Sequence, residues 1–330
     1  MKVLRTSSQL AQLPAGCVLS IGNFDGVHLG HQQILQTAYT LARQKNTHLA
    51  AMTFEPHPVA ILHPEKAPGV LTPLTLKTHL IQRHGVDYLI VLTDSASLLR
   101  LTPADFIDRF LLKDVKPAAL VEGEDFNFGA KRAGNIVTLK QMAQPNGIEV
   151  VVVPARYTQL STEQSIRVSS TTIRYMLESG CVADAAALLG RHYRLVGQII
   201  PGKGRGKQLG FPTLNMQPPP QIIPQQGVYA GYCVLGPTED DVLRSKKLLP
   251  AVFSIGQART FADEHPLLIE AHLLDDKTDN PSAMWMAMDF VERIRPQYKF
   301  KSPSDLAARI ARDCLSAKQI LAAESTKQKE

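Results

Sequence analysis

The stretch "SIGNFDGVHLGH", Ser20–His31, sets three glycines, one aspartate and two histidines within twelve residues. It joins an apolar, strand-like run, "CVLSIG", to "HQQILQTAYTLARQ", in which Ile34, Leu35, Ala38, Leu41 and Ala42 recur on one helical face. A strand, a glycine-rich turn and a helix start aim unpaired backbone amides and the positive end of the helix dipole at one spot. That geometry suits a phosphate. A zinc site would need a third ligand, and a metalloprotease a glutamate beside the histidines, yet their neighbours are Val27, Leu29 and Gly30. No Ser or Cys lies in the turn from Gly22 to His31, which removes a nucleophile–histidine pair. Gly22, Gly26 and Gly30 admit close approach to the backbone, and His28 and His31 can donate hydrogen bonds to phosphoryl oxygens.

Outward from this turn, strand-like and helix-like pieces alternate. "HLAAMTF", "YLIVL" (Tyr88–Leu92), "AALVEG" and "IEVVVV" read as further strands. Thr102 and Pro103 open a helix expected to run to Lys113. The alternation predicts a parallel sheet covered by helices on both faces, with ligands beyond the carboxyl ends of its strands. After "SSTTIRYMLESG" and the short helix "VADAAALLG" the pattern changes. "YRLVGQII", "GVYAGYCVL", "LLPAVFSIG", "PLLIEAHLL" and "MWMAMDF" are closely spaced strands with no helices between them, as in an antiparallel barrel or sandwich. A final helix starts at Ser302 and Pro303, with Leu306, Ile310 and Ile320 on its buried face. The expected domains are 1–183 and 184–330.

With 330 residues, 44% hydrophobic and 20% charged, the chain has the make-up of a soluble two-domain protein. No apolar run is long enough for a bilayer, so no membrane partner is expected. Cys17, Cys181, Cys233 and Cys314 are scattered, which argues against a disulfide framework or a Cys-based zinc site and for a reducing cytoplasm. The charge of +6 suits anionic ligands. Its basic residues are dispersed with little aromatic interleaving, so no nucleic acid is expected. Nothing in the sequence sets an oligomeric state.

A second glycine-rich stretch, "GKGRGKQLGFPTLN" (Gly202–Asn215), fails as a P-loop. Three residues rather than four separate Gly202 from Gly206, and Gln208 follows Lys207 where Ser or Thr would meet magnesium. No helix is expected after its glycines, which also removes a dinucleotide fingerprint.

Both stretches resemble known families. "GVHLGH" resembles the His-x-Gly-His motif of the nucleotidylyltransferase superfamily, and "GNFDGVHLGH" is similar to its form in prokaryotic FAD synthetases. "TFEPHP" (Thr53–Pro58), "EGEDFNFG" (Glu122–Gly129) and "VSSTTIR" (Val168–Arg174) resemble further segments of that family, in its order. The resemblance implies a Rossmann-like adenylyltransferase domain. Its catalytic histidines would be His28 and His31, and its ATP contacts Gly22, Asn23, Phe24, Asp25, Gly26, Ser169, Ser170, Thr171 and Arg174, with flavin contacts at Asp125 and Asn127.

The second stretch resembles the riboflavin kinase module, an antiparallel barrel with a closing helix. Here the resemblance implies ATP contacts at Gly202, Lys203, Gly206, Lys207 and Gly210, and Mg²⁺ donors at Thr213 and Asn215 in "PTLN". "EAHLLD" would supply Glu270 as the catalytic base. The substrates implied are riboflavin, FMN and ATP. Three positions depart from the family's pattern: Gln297 replaces an acid, Ala258 an arginine, and "DNPSAMWMAMDF" a Leu-Tyr-Gly segment. Trp285 and Met286 are the candidates for the contact that segment would make. The alternative reading is a nucleotidylyltransferase whose degraded kinase barrel serves as a flavin- or nucleotide-binding regulator.

Overall fold

The computed structural model describes residues 1–93, 95–202, 204–257, 267–275 and 283–327. Lys203 and Ala258 lie outside the described residues. The chain folds as two compact units, Met1–Thr158 with Ser165–Ser170, and Gln159–Gln164 with everything from Thr171 onward.

In the first unit β1 (Lys2–Leu4), β2 (Val18–Ile21), α1 (Leu29–Gln44), β3 (Leu49–Phe54), α2 (Pro58–Leu62), α3 (Leu74–Gln82), β4 (Tyr88–Leu92) and α4 (Pro103–Asp105) follow in turn. Next come β5 (Ala119–Gly123), the antiparallel pair β6 (Asn127–Phe128) and β7 (Gly134–Asn135), α5 (Ile136–Ala143), β8 (Glu149–Val153), β9 (Tyr157–Gln159) and β10 (Ser165–Arg167). Six of these strands form a parallel sheet in the order β1-β4-β3-β2-β5-β8. All four β2 side chains are buried, as helices on both faces require. Leu35, Ala38 and Ala42 of α1 are buried, while Leu10, Phe106, Ile107, Phe110, Leu111 and Leu139 pack into a core with Leu19, Ile21, Met52 and Leu120 of the sheet. The expected helix after Thr102 forms, capped by the Thr102 hydroxyl accepting from Asp105 N at 3.1 Å. It continues as a wider-wound π-helix over Phe106–Val115, two residues past its expected end.

Chain order reverses between β2 and β5, the point where such sheets bind ligands. Here the sheet is split. β2 pairs with β5 only through Val18↔Ala119 and Leu19↔Leu120, whereas β2 stays with β3 to Ile21 and β5 with β8 to Gly123.

α6 (Ser170–Glu178) and α7 (Val182–Leu189) precede the second sheet. Then come β11 (Tyr193–Ile200), α8 (Arg205–Gln208), β12 (Leu214–Met216), β13 (Gly227–Gly236), α9 (Glu239–Arg244), β14 (Leu249–Gln257), β15 (Leu267–Leu273), β16 (Trp285–Arg295) and α10 (Pro303–Lys327). The strands close into an antiparallel barrel, β11-β12-β15-β14-β13-β16. Buried Tyr229 and Phe253 meet the ring of Phe290 edge to face, at 5.3 and 5.1 Å. Met286 is fully buried and Trp285 partly so, which assigns Met286 to the core. One helical turn, α8, forms inside the second glycine-rich stretch where none was expected. No helix among the described residues is long and apolar enough to cross a membrane.

Ala317 and Leu321 of α10 pack against Val228, Ala230, Tyr232, Val252 and Val291 of the barrel. An ion pair fixes the same helix. Arg295, at the end of β16, donates to Asp313 through Nε at 2.9 Å and Nη2 at 2.7 Å, and Arg309 adds a third bond at 3.1 Å. Both Arg295 and Asp313 are buried; without Arg295 the carboxylate would keep Arg309, but without Asp313 the buried guanidinium of Arg295 would be an uncompensated charge. Asp313→Leu is therefore expected to destabilise the second unit by about 3–5 kcal/mol. Denaturant unfolding followed by barrel-specific signals measures this, and a change below about 1 kcal/mol would contradict it.

Candidate active sites

The loop between β2 and α1 is held by its own side chains. The Asp25 carboxyl is buried and accepts from Leu71 N (3.1 Å), Thr72 N (2.9 Å) and the Thr72 hydroxyl (3.2 Å). That hydroxyl in turn accepts from Gly26 N at 3.0 Å. Phe24 and Val27 are both buried and take positive φ angles of 46° and 40°, a conformation costly for bulky or β-branched residues. Asn23 is tied to two strand ends. Its carbonyl accepts from Thr53 Oγ1 at 3.0 Å, and its side-chain amide lies 2.9 Å from Nε2 of His57 in the "TFEPHP" segment. Lys77 of α3 is buried; desolvation pulls its pKa down, while the nearby charges of Asp25 and Glu55 push it back up. Phe24 and Asp25 thus spend their side chains inside the loop and offer a ligand backbone.

His28 caps α1, its Nδ1 accepting from His31 N at 3.3 Å, so the ring proton sits on Nε2. The two imidazoles stack at 3.6 Å between centroids, 16° from parallel. Gly30 permits this: a Cβ there would lie 3.3 Å from the His28 ring. The amides of the first turn of α1 and the imidazole pair share this end of the helix. From the "VSSTTIR" segment, Ser170 Oγ donates to the carbonyl of Asp25 at 2.8 Å. Ser169 precedes it, and Thr171 and Arg174 follow on α6, Arg174 one turn beyond Ser170 and on the same face.

Across the split, Asp125 and Asn127 follow β5. Asn127 Nδ2 donates to the Asp125 carbonyl at 2.6 Å, and the Asp125 carboxylate pairs with Arg167 at 2.8 Å. Arg167, His57 and Thr72 escape sequence reasoning because each acts through a partner distant in the chain. Glu122 escapes it too. It is buried, its Oε1 accepts from Ile21 N at 2.8 Å, and burial pushes its pKa well above the carboxylate range.

In the barrel, β12 lies between β11 and β15, and Asn215 sits opposite Glu270 across the β12–β15 ladder. The Thr213 hydroxyl donates to Glu270 Oε1 at 3.4 Å. Burial raises the Glu270 pKa, and the Thr213 bond partly offsets it. His272 Nδ1 donates to the Pro212 carbonyl at 2.8 Å and its ring meets Phe211 edge-on, anchoring the "PTLN" turn to β15. The glycine-rich stretch folds against these groups. A Cβ on Gly202 would lie 2.1 Å from Asn215 Nδ2, and one on Gly206 2.4 Å from the Phe211 carbonyl. Lys207 and Gly210 are exposed on and after α8. Gln297 Nε2 donates to Ser254 Oγ and to the Ile255 carbonyl, both at 3.1 Å, donations that an ionised carboxylate could not make.

Likenesses to known proteins span both halves of the chain. Residues 10–172 match the FAD synthetase family and residues 189–321 the riboflavin kinase family. The chain is 36% identical over 320 residues, 97% of each chain, to the bifunctional riboflavin kinase/FMN adenylyltransferase of Escherichia coli (strain K12). It belongs to the bifunctional riboflavin kinase/FMN adenylyltransferase family. The Bacillus subtilis (strain 168) member is 33% identical over 303 residues, 91% of this chain and 90% of that one. The fold matches a crystal structure of a macrolide-efflux protein from Streptococcus pneumoniae with a TM-score of 0.81 and 25% identity, over 96% of this chain and 99% of that one. As a family member the chain is a kinase and a nucleotidyltransferase, and both activities use ATP.

Glu122 gives this family member a pH signature. The folded state keeps a proton that the unfolded chain releases above about pH 4.5, so this group removes stability as pH rises from there toward its folded pKa. Glu122→Gln, isosteric with the neutral acid, is expected to raise the unfolding midpoint of the first unit at pH 8. The gain should disappear as pH falls to about 4.5. A gain that is the same at both pH values would contradict a titrating Glu122.

Proposed function

We propose that FMN adenylylation belongs to residues 1–183 and riboflavin phosphorylation to residues 184–330, each at the site described above. The matched segments, which end at 172 and resume at 189, support this division. The convergence of Glu270 on β15, Asn215 on β12 and Thr213 just before β12 carries the reading. A barrel that only bound flavin would have no use for a half-buried carboxyl beside two hard oxygen donors. That argues against the regulator alternative.

In the kinase unit Glu270 takes the proton of riboflavin's 5′-hydroxyl as that oxygen attacks the γ-phosphorus of ATP, giving FMN and ADP. Burial raises its pKa, and the Thr213 bond opposes that shift. The Thr213 hydroxyl and the Asn215 side-chain carbonyl are hard oxygen donors of the kind Mg²⁺ prefers, and they would hold it. Bound there, Mg²⁺ neutralises phosphate charge. Gly202, Gly206, Lys207 and Gly210 border the triphosphate, with Lys203 assigned from sequence alone.

In the adenylyltransferase unit the FMN phosphate attacks the α-phosphorus of ATP and releases pyrophosphate. An ionised phosphate is already a nucleophile, so the chain supplies alignment and charge stabilisation rather than a base. His28 donates through Nε2, and His31 and the first-turn amides of α1 add donors at the same end of the helix. Gly22, Asn23, Phe24, Asp25 and Gly26 line the nucleotide through their backbone. Ser169, Ser170, Thr171 and Arg174 hold the triphosphate, and Asp125 and Asn127 contact the flavin. All four cysteines are free, in keeping with a cytoplasmic enzyme of riboflavin, FMN and ATP.

His28→Ala is expected to lower FAD formation from FMN by about 10²–10³-fold, while FMN formation from riboflavin stays within about twofold. Glu270→Ala should do the reverse, lowering FMN formation by about 10²–10⁴-fold and sparing FAD formation from supplied FMN. Chromatographic separation of the flavins reads both. A folded variant that loses both activities would refute two independent sites.

A further inference from the structure

The split between β2 and β5 contains a side chain that neither reaction uses. In a parallel ladder successive amides of a strand point alternately to its two neighbours. Gly22 N donates to Met52 on the β3 side at 3.0 Å, so the amide of Ile21 faces the β5 side. No β5 carbonyl meets it, because the β2–β5 register stops at Leu19↔Leu120. The Glu122 carboxyl does, at 2.8 Å. It carries its acceptor oxygen on an arm three carbon–carbon bonds long, so the two strand ends remain bonded while standing apart.

Those ends carry the two walls of the crevice. One residue past Ile21 begins the loop to His28, and three residues past Glu122 lies Asp125. Burial raises the pKa of this carboxyl and so opposes a negative charge on it. Side chains reach through the same region: a Cβ on Gly123 would sit 3.1 Å from Asp125 Oδ1 and 3.4 Å from Ile34 of α1, so the β5 end has little room to shift.

We propose that Glu122 is a positioning residue for adenylyl transfer, its side chain bridging β2 and β5 and fixing the separation of the His28 loop from the Asp125 loop. The inference rests on the adenylyltransferase reading of this crevice. It makes the neutral acceptor at the end of the arm, rather than a charge or a bulky filler, the property that matters.

The test uses the full chain with FMN and MgATP, kcat and KM for FAD formation, and FMN formation from riboflavin as the internal reference. Glu122→Gln keeps the arm and the acceptor, and is expected to hold kcat within about twofold of the parent. Glu122→Leu keeps bulk without the acceptor. It is expected to lower kcat for FAD formation about tenfold or more, with KM for ATP changed less than about threefold and FMN formation unaltered. A Leu variant with the parent's kcat, a Gln variant as impaired as the Leu variant, or parallel loss of FMN formation would each overturn the proposal. A parent chain that makes FMN but no FAD would overturn the adenylyltransferase reading along with it.

Discussion

The carboxyl of Asp25 holds the β2–α1 loop in a shape the chain would not otherwise choose. Phe24 and Val27 sit at positive φ, a strain of about 1–3 kcal/mol each, and persist because the surroundings over-determine them. Asp25 grips Leu71 and Thr72, Thr72 grips Gly26, and Ser170 grips the Asp25 carbonyl. The position of α1 follows from this lattice. So do the cap that His28 places on that helix and the stacking of its ring on His31.

The two sites meet opposite chemical demands. In one the attacking group arrives charged, and the protein supplies donors that are already oriented, which keeps reorganisation during the reaction small. In the other a neutral hydroxyl must lose a proton, and the proposed acceptor is the half-buried carboxyl of Glu270. The settings match the tasks. The positive end of a helix dipole accommodates anions, whereas neighbouring strands bring an acid and two oxygen donors together.

Much of this was legible in the residues, and the exceptions share a cause. The central strands announced themselves because burial on both faces leaves them almost wholly apolar, as in β2 and β3. His28 and His31 stood out beside the glycines of their turn, whereas Thr213, Asn215 and Glu270 stood out only through the resemblance of their segments to the riboflavin kinase module. β1 and β12, three residues each, have too little periodicity to register and exist because long partners recruit them. Asp25 was visible, but its partners at Leu71 and Thr72 were not, since nothing in a local window encodes a bond across 46 or 47 positions. Glu122 looked like one acid among three in "EGEDFNFG" until the strand ends were seen to part.

The barrel's final ion pair also orders events while the polypeptide is being made. Arg295 leaves the ribosome before Asp313, and until α10 winds up its guanidinium has no counterion and stays in water rather than enter the interior. The face of β16 that α10 covers therefore stays open until that helix has been made. A nascent chain stalled short of Asp313 would display the apolar flank that Ala317 and Leu321 later cover, the kind of surface that chaperones bind.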